Sequence, residues 1–189
     1  MTRVILATST VALSWLLMQI IHEAGHVCGA VLTGGSVQRV VLVPWEFSRT
    51  DLFHNPHPLI TCWAGPIIGA FFPVVLWLAA RSLRLSTEFW FRFLSGFCLI
   101  ANGAYLGAGA ITHEGDSGDL LRHGCPMWVI GLFVVSTVPV GFIAWHGLGK
   151  HFGIGPNATT VRWRTALTCI TVLALVIMAE VIGALWIGV

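Results

Sequence analysis

The chain is poor in charge. Only 10% of its 189 residues are Asp, Glu, Lys or Arg, against roughly 25% in soluble domains, and that scarcity excludes an ordinary water-soluble globule. It has no basic run and a net charge of only +2, so the electrostatic footprint of a nucleic-acid-binding protein is missing. No Cys-x-x-Cys pair occurs. Its five cysteines, Cys28, Cys62, Cys98, Cys125 and Cys169, are odd in number and fall mostly in apolar runs, which indicates no disulfide framework and suggests thiols packed as small hydrophobes. No internal repeat, low-complexity tract or long polar linker divides the sequence, so residues 1–189 read as a single domain.

What the chain has instead is apolar length. Hydrophobic residues make up 56% of it. Stretches able to cross about 30 Å of hydrocarbon run approximately over residues 4–33, 58–80, 89–111, 126–147 and 165–188. The expected fold class is therefore an all-α polytopic membrane protein with about five transmembrane helices, an integral multi-pass protein of the cell membrane with the lipid bilayer as its solvent. Trp63, Trp90, Trp128, Trp145, Trp163 and Trp186 fall near the ends of these runs, where amphipathic rings favour the lipid-water boundary. Gly25 with Gly29, Gly65 with Gly69 and Gly103 with Gly107 stand four residues apart, the spacing that lets helices approach closely in lipid.

Arg3 followed by an apolar stretch has the look of a secretory leader, but the run continues to Leu32, beyond a leader's usual length, and reads as an uncleaved first span. Arg3, Arg81, Arg84, Arg92, Lys150, Arg162 and Arg164 then share one side, and Arg39, Arg49 and Arg122 the other. Seven cations against three put the N terminus in the cytoplasm. After the first span, Gly34-Gly35 breaks the run, and the β-branched segment Val37–Val43, ended by Pro44, predicts a short membrane-associated strand, paired as a hairpin with residues 45–53. Such an edge needs its backbone groups satisfied, and a substrate strand is one candidate partner.

The chemistry lies inside the first apolar run, at His22-Glu23-Ala24-Gly25-His26. On a helix of about 3.6 residues per turn, His22 and His26 stack one turn apart on one face, where both imidazoles reach a single zinc ion, and Glu23 is offset from them as a base. Ionisable groups at membrane depth are costly, so three together argue for a cation as partner. A catalytic zinc takes three protein ligands and keeps one open position. The third ligand is sought in His113-Glu114-Gly115-Asp116-Ser117-Gly118-Asp119 after the third run. Asp116 is preferred, because Gly115 frees the backbone to turn a carboxylate inward, and Asp119 is second. The alternative is that Asp116 caps a short helix through Leu120-Leu121-Arg122, with Asp119 favouring its N-terminal end.

These residues also carry a resemblance. The chain resembles the site-2 protease family of intramembrane zinc metalloproteases, through His22-Glu23-Ala24-Gly25-His26-Val27, Gly34-Gly35 with its strand, Ala64-Gly65-Pro66, Asn102, Gly115-Asp116 and Leu120-Leu121. The likeness covers about residues 1–123, the implied catalytic core; two further helices over 126–188 match no motif. It implies one Zn²⁺ per chain, an aspartate completing the metal site at Asp116, and a role for Asn102 in holding substrate backbone or stabilising the oxyanion. The family's Leu-Asp-Gly-type segment is replaced here by Gly-Asp-Ser-Gly-Asp. A bonded interhelical Asn is the competing account of Asn102.

The implied activity is hydrolysis of peptide bonds in or near transmembrane segments of membrane-protein substrates, by zinc-activated water with Glu23 as general base. A polar passage must bring water to the site, and His54, His57 and the 114–119 loop are candidates to line it. A regulatory membrane protein is a further expected partner. Two other classes compete. A di-iron hydroxylase would use the eight histidines, including His54-x-x-His57, but no His-x-x-His-His box occurs. A scaffold with a structural zinc leaves Glu23 without a purpose. Glu180, in the last apolar run, has no assigned role; it either bonds a neighbouring helix in protonated form or faces the passage.

Overall fold

Five long apolar helices and a small hairpin build the protein, seen here in a computed structural model that describes residues 1–155 and 157–187. Helix α1 spans Thr2–Leu32, and after Gly34, in the left-handed region at φ 81°, strands β1 (Ser36–Val41) and β2 (Arg49–His54) follow. Then come α2 (Pro58–Ser82), α3 (Glu88–Thr112), a short α4 (Gly115–Arg122), α5 (Met127–Trp145), a 3₁₀ turn (Leu148–Phe152) and α6 (Trp163–Ile187). Among the described residues, α1, α2, α3, α5 and α6 are long and apolar enough to cross a membrane. Observed helix ends fall within a few residues of the apolar runs in the sequence, and α4 is the short helix weighed above for Leu120–Arg122.

Lipid cannot drive helices together hydrophobically, so their contact rests on close fit. Glycine provides it. A Cβ on Gly25 would lie 2.5 Å from the Ala64 carbonyl oxygen, and one on Gly29 2.7 Å from the Ala64 Cβ, so α1 and α2 touch backbone to backbone. Gly65 leaves its space to the His26 ring, Gly69 to the Asn102 amide, and Gly103 to Thr137 on α5. The spacing motifs thus seat helices, and one of them, Gly65 with Gly69, also seats two polar side chains of the centre described below.

One apolar cluster joins α2, α3, α4 and α5 through Ala70, Leu99, Leu106, Leu120 and Ile130, and another joins α1, the 3₁₀ turn and α6 through Leu6, Leu148, Phe152 and Ala166. Trp63 lies against Phe133 with ring centroids 5.6 Å apart, and Trp145 stacks on Phe93 at 5.0 Å while its indole N–H donates to the Phe93 carbonyl. Both half-buried rings pack against the bundle's apolar clusters. Cys98, Cys125 and Cys169 are buried as small hydrophobes, whereas Cys28 is exposed.

The β1–β2 hairpin is antiparallel, with Arg39 opposite Asp51, Val40 opposite Thr50 and Val41 opposite Arg49. Its strands are shorter than the β-branched run suggested, and residues 42–48 form the connecting loop. Val41 and Val43 pack against Ala184 of α6, which holds one side of the hairpin onto the bundle. Farther along the hairpin the partly exposed Arg39 guanidinium bonds Asp51 at 2.6 Å and keeps that carboxyl below its ordinary range. The pair therefore contributes fully above the unfolded value of about 3.9 and loses its contribution as pH falls through the lower folded value.

Gly25→Val should cost about 1–3 kcal/mol or more by forcing α1 off α2, read as a lower unfolding midpoint in detergent. Gly131→Ala, where an added methyl meets open space, should leave that midpoint unchanged.

Candidate metal centre

His22 and His26 lie one turn apart in the C-terminal third of α1, and both are buried, at 7% and 8% exposure. Their Nε2 atoms stand 3.0 Å apart. Asp116 reaches the same point from α4: its Oδ2 is 2.9 Å from His22 Nε2 and 3.3 Å from His26 Nε2. The route back is built by a tight reversal. α3 ends at His113 with φ 60°, Gly115 again takes a positive φ of 58°, and the Ser117 hydroxyl donates to the Leu106 carbonyl at 2.7 Å, laying α4 back along α3. A Cβ on Gly115 would collide with the Tyr105 phenol. That phenol oxygen accepts the Asp116 N–H at 3.3 Å.

The hydrogen bonds behind the rings decide what the centre can hold. His26 Nδ1 is 2.8 Å from the Thr61 carbonyl oxygen, an obligate acceptor, so this nitrogen carries a proton and donates. The Asn102 amide N–H₂ donates to the Cys98 carbonyl, which fixes its Oδ1 toward His22 Nδ1 at 2.7 Å. That nitrogen donates as well. With Nδ1 used in this way, Nε2 is the ring atom of each histidine left to face the point where the Asp116 carboxylate also arrives. When both rings are neutral, three electron-rich atoms about 3 Å apart repel one another, and a metal cation or a shared proton relieves that repulsion. Zinc ligands at about 2.0–2.2 Å in tetrahedral array are spaced at about 3.3 Å, so the donor set fits a divalent zinc-sized ion. Among the described residues, His22, His26 and Asp116 are the one group of three or more such donors close enough to share an ion.

Glu23 faces the neighbouring side of α1 and is only 2% exposed. Its Oε1 accepts the Ser48 hydroxyl at 2.7 Å and its Oε2 the Thr50 hydroxyl at 2.6 Å. Gln19, one turn earlier, accepts the Ser48 main-chain N–H at 2.8 Å. These groups wall a cavity of about 640 Å³ that also reaches Trp15, Phe47, Asn102, Tyr105, Asp116 and Asp119.

Of the residues singled out in the sequence, the structure brings together His22, Glu23, His26, Asn102 and Asp116. Asp119 lines the cavity but turns its carboxylate to Arg122, and is not among the converging donors. His54 and His57 are not in the cavity wall, and Glu180 is 7% exposed on α6 with its Oε2 unpaired among the described residues. The sequence did not point to Ser48, Thr50, the Thr61 carbonyl or Tyr105. Gln19 alone left a trace, as a polar residue in an apolar run one turn before Glu23.

A multi-span helical bundle with a His-Glu-x-x-His segment facing a carboxylate defines a membrane protein with a hydrolase-type metal centre. The family model described as Peptidase M50B-like, a site-2 protease family, matches residues 2–105, more than half the chain, and the protein belongs to that family. No curated protein and no solved structure gives a significant match. The matched region includes His22, Glu23, His26 and Asn102 and ends before Asp116.

Asp116→Ala should abolish retention of zinc while Asp119→Ala keeps it, read by elemental analysis of purified protein, with membrane insertion unchanged in both.

Proposed function

We propose that the chain is an intramembrane zinc endopeptidase that hydrolyses peptide bonds in or near the transmembrane segments of membrane-protein substrates. The observation that carries this reading is the meeting of the His22, His26 and Asp116 donor atoms beside a buried carboxylate, at the wall of a cavity large enough for an extended peptide segment. His22, His26 and Asp116 hold one zinc ion per chain. When bound, zinc supplies Lewis acidity and makes water a competent nucleophile near neutral pH.

The protein's own groups do the rest. Glu23 takes the proton from the attacking water on a carboxylate oxygen and later delivers it to the leaving amine nitrogen. Asn102 orients the His22 ring through Nδ1, and the Thr61 carbonyl does the same for His26; outer partners of this kind typically affect metal affinity or activity by about 10–100-fold. A substrate helix hides its carbonyls in internal hydrogen bonds, so it must unwind locally, and the open edge of the β1–β2 hairpin offers main-chain groups to a strand so released. The protein works in the cell membrane with its N terminus in the cytoplasm, and a second membrane protein regulates access to the cavity.

The donor geometry favours this over di-iron chemistry, since His54, His57, His146 and His151 do not join the cluster. Co-expression with candidate single-span proteins tests it. Wild type should yield fragments whose ends map to a membrane segment. Glu23→Gln should keep its zinc and lose cleavage by about 10²–10⁴-fold or more, whereas His22→Ala should lose both. Full cleavage by Glu23→Gln would rule out the base.

A further inference from the structure

Glu23 is the one catalytic group in the centre whose partners lie outside the helices. Both of its oxygens accept from the hairpin, one from Ser48 and one from Thr50, at 2.7 and 2.6 Å. From this geometry, and resting on the reading of Glu23 as proton carrier, we propose that Ser48 and Thr50 are positioning residues that fix the Glu23 carboxylate, so that the hairpin is a working part of the centre.

The placement follows from two periodicities. On α1, Trp15, Gln19 and Glu23 recur every four residues and so share one helix face. The hairpin loop runs along that face: Phe47 meets Trp15 edge-on at 5.8 Å, the Ser48 N–H bonds Gln19, and the Ser48 and Thr50 hydroxyls bond Glu23. In an extended segment alternate side chains point to opposite faces. Residues 48 and 50 therefore turn inward together, while Arg49 and Asp51 turn the other way, where Arg49 is 3.5 Å from Asp51. The guanidinium between the two hydroxyls is thus diverted from Glu23.

A carboxylate at 2% exposure must be hydrogen-bonded to be tolerated in an apolar bundle. Neutral hydroxyls meet that need without bringing a competing positive charge, and each oxygen keeps a further lone pair for a substrate-side proton. Thr50 is itself anchored by its ladder position opposite Val40. The side chain of Glu23 is consequently held from two directions, and its orientation is tied to closure of the loop. A freely rotating glutamate on the same helix would spend part of its time away from the reacting water.

Two measurements on the full-length purified protein test the proposal. The first needs no cleavage activity of its own: added chymotrypsin at the exposed Trp45 and Phe47 reports opening of the loop. Glu23→Ala and the double variant Ser48→Ala/Thr50→Val should each speed nicking, and combining all three should add nothing further, because the same bonds are removed. Unchanged nicking in Glu23→Ala would overturn the clamp.

The second is steady-state cleavage of a membrane substrate. The double variant should lower kcat by about 10–100-fold, short of the loss of the base itself, with KM and zinc content unchanged. Thr50→Ser, which keeps a hydroxyl, should recover most of the loss relative to Thr50→Val. A fall in zinc content, or equal effects of Thr50→Ser and Thr50→Val, would refute a positioning role. Should wild type cleave nothing, the proposed function fails, and nicking still decides the clamp.

Discussion

The structure depends on a repulsion. Two imidazole nitrogens and a carboxylate oxygen are brought to about 3 Å from one another inside an apolar bundle, where screening is weaker than in bulk water. Such an arrangement needs a backbone that is over-determined around it, and a positive charge among the three atoms would relieve it further. Several unusual local features near the centre serve the first of these needs. Glycines at 25, 29, 65 and 69 bring α1, α2 and α3 close enough for the rings and the Asn102 amide to sit between them. Two residues with positive φ, His113 and Gly115, fold α4 back so that its carboxylate arrives at the right depth. The hydrogen bonds behind each imidazole then choose the tautomer that leaves Nε2 free.

This explains what was legible in the sequence and what was not. Helix positions follow from apolar length, because a bilayer imposes its thickness on any chain that crosses it. His22, Glu23 and His26 were legible because their relation is local: four residues on one helix fix the geometry without reference to the rest of the fold. Asp116 was reachable by elimination, since few carboxylates exist and only one cluster lay near glycines at the end of a span. The competing reading, that Asp116 caps the short helix, does not hold: Glu114 is the N-cap of α4, no side chain caps it, and Asp116 in the first turn points its carboxylate at the histidines.

The remaining contacts are long-range and chemically ordinary. Nothing in Ser48-Arg49-Thr50 distinguishes it from any polar loop until the hairpin is laid against Trp15, Gln19 and Glu23. The Thr61 carbonyl is main chain and leaves no mark in the amino-acid string. Asn102 carries a signal as a polar residue in an apolar helix, but its partner became visible only when α3 met α1 across Gly69. The two tryptophans at 63 and 145 show the same limit: position near a span end suggested the lipid boundary, and the ring-on-ring contacts with Phe133 and Phe93 that these half-buried side chains also make left no mark in the sequence.

Pro66 carries a last consequence. Standing in α2 one turn beyond Cys62, it has no N–H to offer, so the Cys62 carbonyl loses its ordinary i+4 donor. Surrounded by hydrocarbon, an acceptor left idle in this way is severely disfavoured. Cys62, however, borders the same chamber as the histidines and Glu23. The wall of that chamber thus contains a missing rung of the helical ladder, so the polar demand of the site is met partly by main chain and not by side chains alone.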